Sequence, residues 1–134
     1  MLRLRPKAGG VVNDGSGHSA LAYGLIVSVG KAQGDPNDWN ALDVATRQVI
    51  QDLQKANPNM KITRQGEHLR LNGQPGLSTY LSNDSPAGGQ ETDWVVAVLR
   101  PEGIVYFVCV APQSAYANYD KTFSSILDSV RFAH

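Results

Sequence analysis

Few side chains in this sequence stand where they could do chemistry. Glu91 and Asp93 are two residues apart, which puts them on one side of an extended segment, as a general acid–base pair requires. Such a pair also needs an apolar pocket that keeps one carboxyl protonated. Their neighbours Gln90 and Thr92 are polar, so the expected setting is the solvated start of a strand. Cys109 sits inside the most apolar stretch of the chain. A thiol there is a small hydrophobe with a raised pKa, not a nucleophile. Gly15-Ser16-Gly17-His18-Ser19 brings a serine next to a histidine but lacks the Gly-x-Ser-x-Gly elbow, and it reads as a turn.

Metal and cofactor chemistry finds no footing. His18, His68 and His134 are scattered, there is no paired cysteine, and no His-Glu-x-x-His occurs, so neither a metal nor a cofactor is expected. Asp35, Asn37 and Trp39 begin like a calcium loop, but the glycine and the closing glutamate are missing. Asn83-Asp84-Ser85 matches the glycosylation acceptor pattern, which carries meaning only in a secretory eukaryotic setting.

What remains is binding. Residues 83–92 form a polar stretch with a Gly-Gly joint between two strands that otherwise turn tightly, and loops of that length carry recognition more often than short turns. Pro86, Gly88, Gly89 and Glu91 are its candidate contact residues. A second reading places a small-molecule or hydrolase pocket between sheet and helix, using Tyr23, Tyr80 or His68.

The composition narrows the field in the same direction. In 134 residues there are 12 basic and 12 acidic side chains, a formal net charge of zero, which argues against the clustered basic footprint of a nucleic-acid binder. Hydrophobic residues make up 42% and charged ones 18%, enough for a packed core of one domain over 1–134, with 1–10 loosely ordered. A lone cysteine allows no internal disulfide; that suits a reducing cytoplasm, and equally an exported bacterial domain that manages without one. No run approaches the ~20 apolar residues of a membrane span. The basic start lacks the apolar core of a signal peptide.

The elements that would position these residues follow from periodicity. A short strand is expected around Val11-Val12. Residues 18–30 alternate, with Leu21, Tyr23, Leu25, Val27 and Val29 on one face, and read as a strand. From Trp39 the period lengthens: Leu42, Ala45, Val49, Ile50 and Leu53 mark an amphipathic helix, started by Asn37 or Asp38 and ended by Asn57-Pro58-Asn59. Strands are expected over 61–65, 67–71, 77–82, 93–100 and 104–111, punctuated by Asn72-Gly73, Gln74-Pro75-Gly76 and Arg100-Pro101-Glu102-Gly103. A second helix over 115–130, capped by Ser114, shows Tyr116, Tyr119, Phe123, Ile126, Leu127 and Val130 on one side and continues briefly into Arg131-Phe132.

Architecture then follows from burial. The stretches 94–99 and 104–111 are almost continuously apolar, as in strands covered on both faces. The expected fold is α+β, a mostly antiparallel sheet of about six strands with helices packed on both faces. In a one-sided arrangement several Val and Leu side chains would stay wet, at ~1.5–3 kcal/mol each.

Three stretches carry a resemblance. They are Leu71-Asn72-Gly73-Gln74-Pro75-Gly76-Leu77 leading into Ser85-Pro86-Ala87-Gly88-Gly89-Gln90-Glu91-Thr92-Asp93; Arg100-Pro101-Glu102-Gly103 with Tyr106-Phe107-Val108; and Tyr116, Tyr119 and Phe123 with Ile126-Leu127-Asp128-Ser129-Val130-Arg131-Phe132. Together, over about residues 11–132, the chain resembles the C-terminal accessory domain of bacterial CAAX-protease-like (HtpX-related) zinc metallopeptidases. Its closing pattern is similar to that of PsbP-like domains, an α/β/α sandwich. The resemblance implies a non-catalytic, protein-binding domain that engages a protein partner or an attached peptidase, in the bacterial cell envelope or periplasm. The metal-binding helix of those peptidases is absent from this sequence, so none of their catalytic residues carries over.

Overall fold

The computed structural model describes residues 10–13, 19–86 and 88–130. The readings placed on 1–9, on the turn at 14–18 with its His18, and on 131–134 lie outside the described residues. Along the chain run β1 (Gly10–Asn13), β2 (Ser19–Gly30), α1 (Trp39–Ala56), β3 (Lys61–Leu71), β4 (Gln74–Asp84), β5 (Gln90–Arg100), β6 (Gly103–Pro112) and α2 (Tyr116–Asp128), the last entered through a 3-10 turn, Gln113–Ala115. The fold is α+β. Five long strands form an antiparallel sheet in the order β2-β6-β5-β4-β3, and the four-residue β1 pairs with the outer side of β2.

Local chemistry explains several of the boundaries. Asp38 caps α1 by accepting the Asn40 amide at 2.9 Å. At the other end the backbone N–H of Asn57 returns to the Leu53 carbonyl, and Pro58 follows. β3 and β4 are joined by the two-residue turn Asn72-Gly73, with φ of 51° and 82°, the double left-handed geometry that matches strand twist and favours Asn-Gly. β5 and β6 are joined through Pro101-Glu102, with Arg100 paired to Gly103.

Three expectations need correction. The separate strands at 61–65 and 67–71 are one strand, β3, interrupted by register shifts around Gly66, whose φ of 75° suits a bulge. The ten-residue loop at 83–92 shrinks to 85–89, because Asn83 pairs with Glu91 and Asp84 with Gln90. Ser114 does not cap α2; it lies in the 3-10 turn, and no side chain caps the helix there.

Antiparallel partners share a face, so the register sorts the sheet into two surfaces. On one, Leu42, Ala45, Val49 and Ile50 of α1 pack on Leu77, Leu81, Val95, Ala97, Leu99 and Ile104. On the other, Phe123, Leu127 and Val130 pack on Trp94, Val96, Val98, Phe107 and Cys109. The helices therefore lie on opposite faces, and the one-sided arrangement is not the one adopted. Every residue from Val95 to Leu99 is fully enclosed, which is why this strand reads as an unbroken apolar run.

Roofing is uneven across the width of the sheet. α1 packs chiefly on β4 and β5, and Ile26 of β2 on the same face remains 43% exposed. That shortfall leaves a cleft.

Candidate functional site

The cleft occupies about 610 Å³ on the α1 face. Ile26, Val108 and Val110 line its floor, Leu53 and Met60 one wall, and Ser85 and Pro86 of the β4–β5 turn its rim. Glu91 and Asp93, alternate residues of β5, line it as well. Paired opposite Pro112 and Val110, they face the same side as the apolar floor.

These two carboxyls are buried. Glu91 is 6% exposed and Asp93 1%, which overturns the expectation of a solvated strand start. Polar neighbours misled the reading: Gln90 and Thr92 point to the opposite face, where alternation puts them. Burial foremost, and then the Asp93 carboxyl beside it, push Glu91 up to about 9. Burial also raises Asp93, opposed by its hydrogen bond with Glu91. Apart from the Glu91 carboxyl, no donor among the described residues reaches either Asp93 oxygen. A proton on Glu91 can serve one of those oxygens and leaves the other without a donor.

The rim is held by amides. Asp84 accepts from Gln90 Nε2 at 2.7 Å and from Asn59 Nδ2 at 2.8 Å, and these bonds hold its carboxyl below the usual range. Asn83 Nδ2 donates to Asn57 Oδ1 at 3.3 Å. Within the turn the Ser85 amide donates to the Gly89 carbonyl and the Gly88 amide to the Ser85 carbonyl, at 2.8 and 3.0 Å. The segment after α1 and the β4–β5 turn are thus tied together beside the cleft. Asn57-Pro58-Asn59 is legible in sequence as a helix stop; its part in the rim is not.

The candidate residues do not converge on one place. Pro86, Gly88 and Gly89 are exposed on the turn, and Glu91 lies inside the cleft beside it. Tyr80 faces the other side of the sheet, its ring 5.7 Å from Trp94 and 6.3 Å from Tyr116, with the Arg64 guanidinium 4.6 Å above it. Aromatic rings fill the space where a pocket lined by Tyr80 would lie. His68 stacks on Trp39 at 4.2 Å, on the α1 side but away from the cleft. The Tyr23 side chain lies outside the described residues. Asp93, which sequence reasoning set aside, is the most deeply buried polar group of the site; its signal was the Glu-x-Asp spacing next to a strand that is apolar throughout.

Among the described residues no three His, Cys, Asp or Glu side chains gather as metal ligands would. Among the described residues no helix is long and apolar enough to cross a membrane. Cys109 is fully enclosed, and burial raises its thiol.

The class that fold and site define is an α+β domain with an acid-lined cleft on one face of its sheet. No protein-family model matches the chain, and no curated protein matches it. Among solved structures it is similar to PA94 from Pseudomonas aeruginosa, a protein of unknown function regarded as a candidate regulator. The TM-score is 0.58 at 10% identity, over 94% of this chain and 98% of that one. At that identity the likeness concerns the fold alone.

Proposed function

We propose that this chain is a non-catalytic binding domain that engages a protein partner through the cleft on the α1 face, as an accessory domain of, or associated with, a bacterial zinc metallopeptidase. The observation that carries the binding reading is the incomplete roof: an apolar floor ending at buried carboxyls, bordered by an exposed turn. The association with a peptidase rests on the resemblance carried by residues 71–77 and 85–93, by 100–103 with 106–108, and by Tyr116, Tyr119 and Phe123 with 126–132. The PsbP-like form of the fold, with β1 as a sixth strand, belongs to the same proposal; the pairing of β1 with β2 and the helix on each face support it.

The test is a binding measurement between this chain and the zinc metallopeptidase encoded in the same reading frame or beside it. A complex is expected, weakened at least tenfold by Ile26→Glu on the cleft floor or by Pro86→Ala on the rim, with the melting temperature nearly unchanged. Absence of such a peptidase, or a complex indifferent to both substitutions, overturns the reading. Parallel loss of binding and of melting temperature would reduce the cleft to scaffolding.

A small-molecule role is the second reading, and the cleft volume favours it, since it falls in the ~300–1,000 Å³ range of ligand pockets. The pocket residues would then be Glu91 and Asp93 with the apolar floor.

A further inference from the structure

We propose that the part of the cleft lined by Glu91 and Asp93 is a recognition site for a protonated primary amine carried on an apolar stem. The inference rests on the cleft being the binding surface proposed above, and does not require the partner to be a peptidase.

The geometry specifies the donor. Asp93 is 1% exposed, lines the cleft, and among the described residues accepts from no N–H; the Glu91 carboxyl beside it can serve only one of its two oxygens. A buried acceptor left in that state destabilises the fold, a cost that a donor arriving from the cleft would relieve. An ammonium brings three N–H donors on one small centre. It can therefore reach the free Asp93 oxygen and the Glu91 carboxyl together. A metal ion would need more oxygen ligands than two carboxyls offer. Ile26, Val108, Val110 and Met60 would enclose the stem, so a fully hydrated cation gains nothing from them.

Charge agrees with this assignment. No lysine or arginine lines the cleft among the described residues; its other ionisable groups are Asp84 at the rim and the Tyr106 phenol on the floor. An incoming cation thus meets no like charge among the described lining residues, only acids, neutral polar groups and apolar surface. Glu91 and Asp93 hold protons more tightly than ordinary carboxyls, and a positive neighbour favours their ionised forms. Binding is therefore accompanied by proton release.

One chemistry has two sources here, a free alkylamine or the lysine of a partner, and the test separates them. Hexylammonium, hexanol, hexanoate and a short blocked peptide, acetyl-Leu-Lys-Leu-amide, are titrated into the whole chain by calorimetry in two buffers of different ionisation enthalpy. Hexylammonium or the peptide is expected to bind at least tenfold more tightly than hexanol, with no binding by hexanoate. Asp93→Asn and Glu91→Gln should each erase that preference. The comparison of hexylammonium with hexanol needs no variant, so a variant that fails to fold does not remove the test. Preference for the peptide assigns the amine to a partner protein. Preference for hexylammonium assigns it to a small molecule, which sustains the amine site and removes the protein-partner reading. Equal affinity for hexanol and hexylammonium, or a preference that survives both substitutions, overturns the inference.

Discussion

Glu91 and Asp93 project from the same side of β5 into a corner whose described lining holds no basic side chain, so burial acts on two acids with no compensating charge beside them. Stability should follow their protonation. In the unfolded chain Glu91 has its ordinary value of 4.5, and the fold lifts it to about 9. Below about pH 4.5 both states hold the proton. Between there and about pH 9 the folded state keeps a proton that the unfolded chain has released, so stability falls as pH rises. Asp93 shifts in the same direction. Thermal melts across this window should show a falling melting temperature, flattened by Glu91→Gln; a melting temperature that climbs with pH contradicts the buried pair.

Trp94 offers a sharper packing test. Its indole N–H donates to Ser78 Oγ at 2.7 Å beneath the aromatic cluster around Tyr80. Ser78→Ala leaves that donor buried without an acceptor, an expected loss of ~1–3 kcal/mol in urea denaturation. No change would mean that the indole finds another partner.

Gly103 cannot carry a side chain. Its φ is +141°, and a Cβ built there would stand 2.2 Å from the Gly30 carbonyl oxygen, where β2 passes the β5–β6 turn. Backbone cannot swing away as a flexible side chain would. Gly103→Ala should cost roughly 2–3 kcal/mol, measurable as a lower denaturation midpoint. A wild-type midpoint would show that the turn shifts freely.

Cys109 should be inert while the fold persists. Burial raises its thiol, and the Asp120 charge adds to that. A thiol reagent should modify the native chain only at the rate of opening, and rapidly in denaturant. Fast native labelling would contradict the enclosed core between β6 and α2.

Much of the fold is legible in the amino-acid order because its causes are local. The three- and four-residue spacing of Leu42, Ala45, Val49 and Ile50 makes α1 whatever lies around it. Asn72-Gly73 makes a two-residue hairpin because its backbone preferences match the twist of the strands. The unbroken apolar character of residues 94–99 already demands cover on both faces. Where local signals mislead, pairing has overridden them. Gly66 reads as a break between two strands, yet β4 pairs across it and turns it into a bulge. The polar residues of 83–92 read as loop, yet Asn83 and Gln90 sit in a ladder that tolerates polar side chains at its ends.

The acid pair marks the boundary between the two kinds of knowledge. Spacing alone puts Glu91 and Asp93 on one side of a strand, since alternation is a property of the backbone. Whether that side is wet or dry depends on α1, Met60 and the strands β4 and β6, residues far away in the chain. Only their packing removes water from two carboxyls, leaves Ile26 of β2 exposed, and opens a cleft where a buried acceptor still lacks a donor.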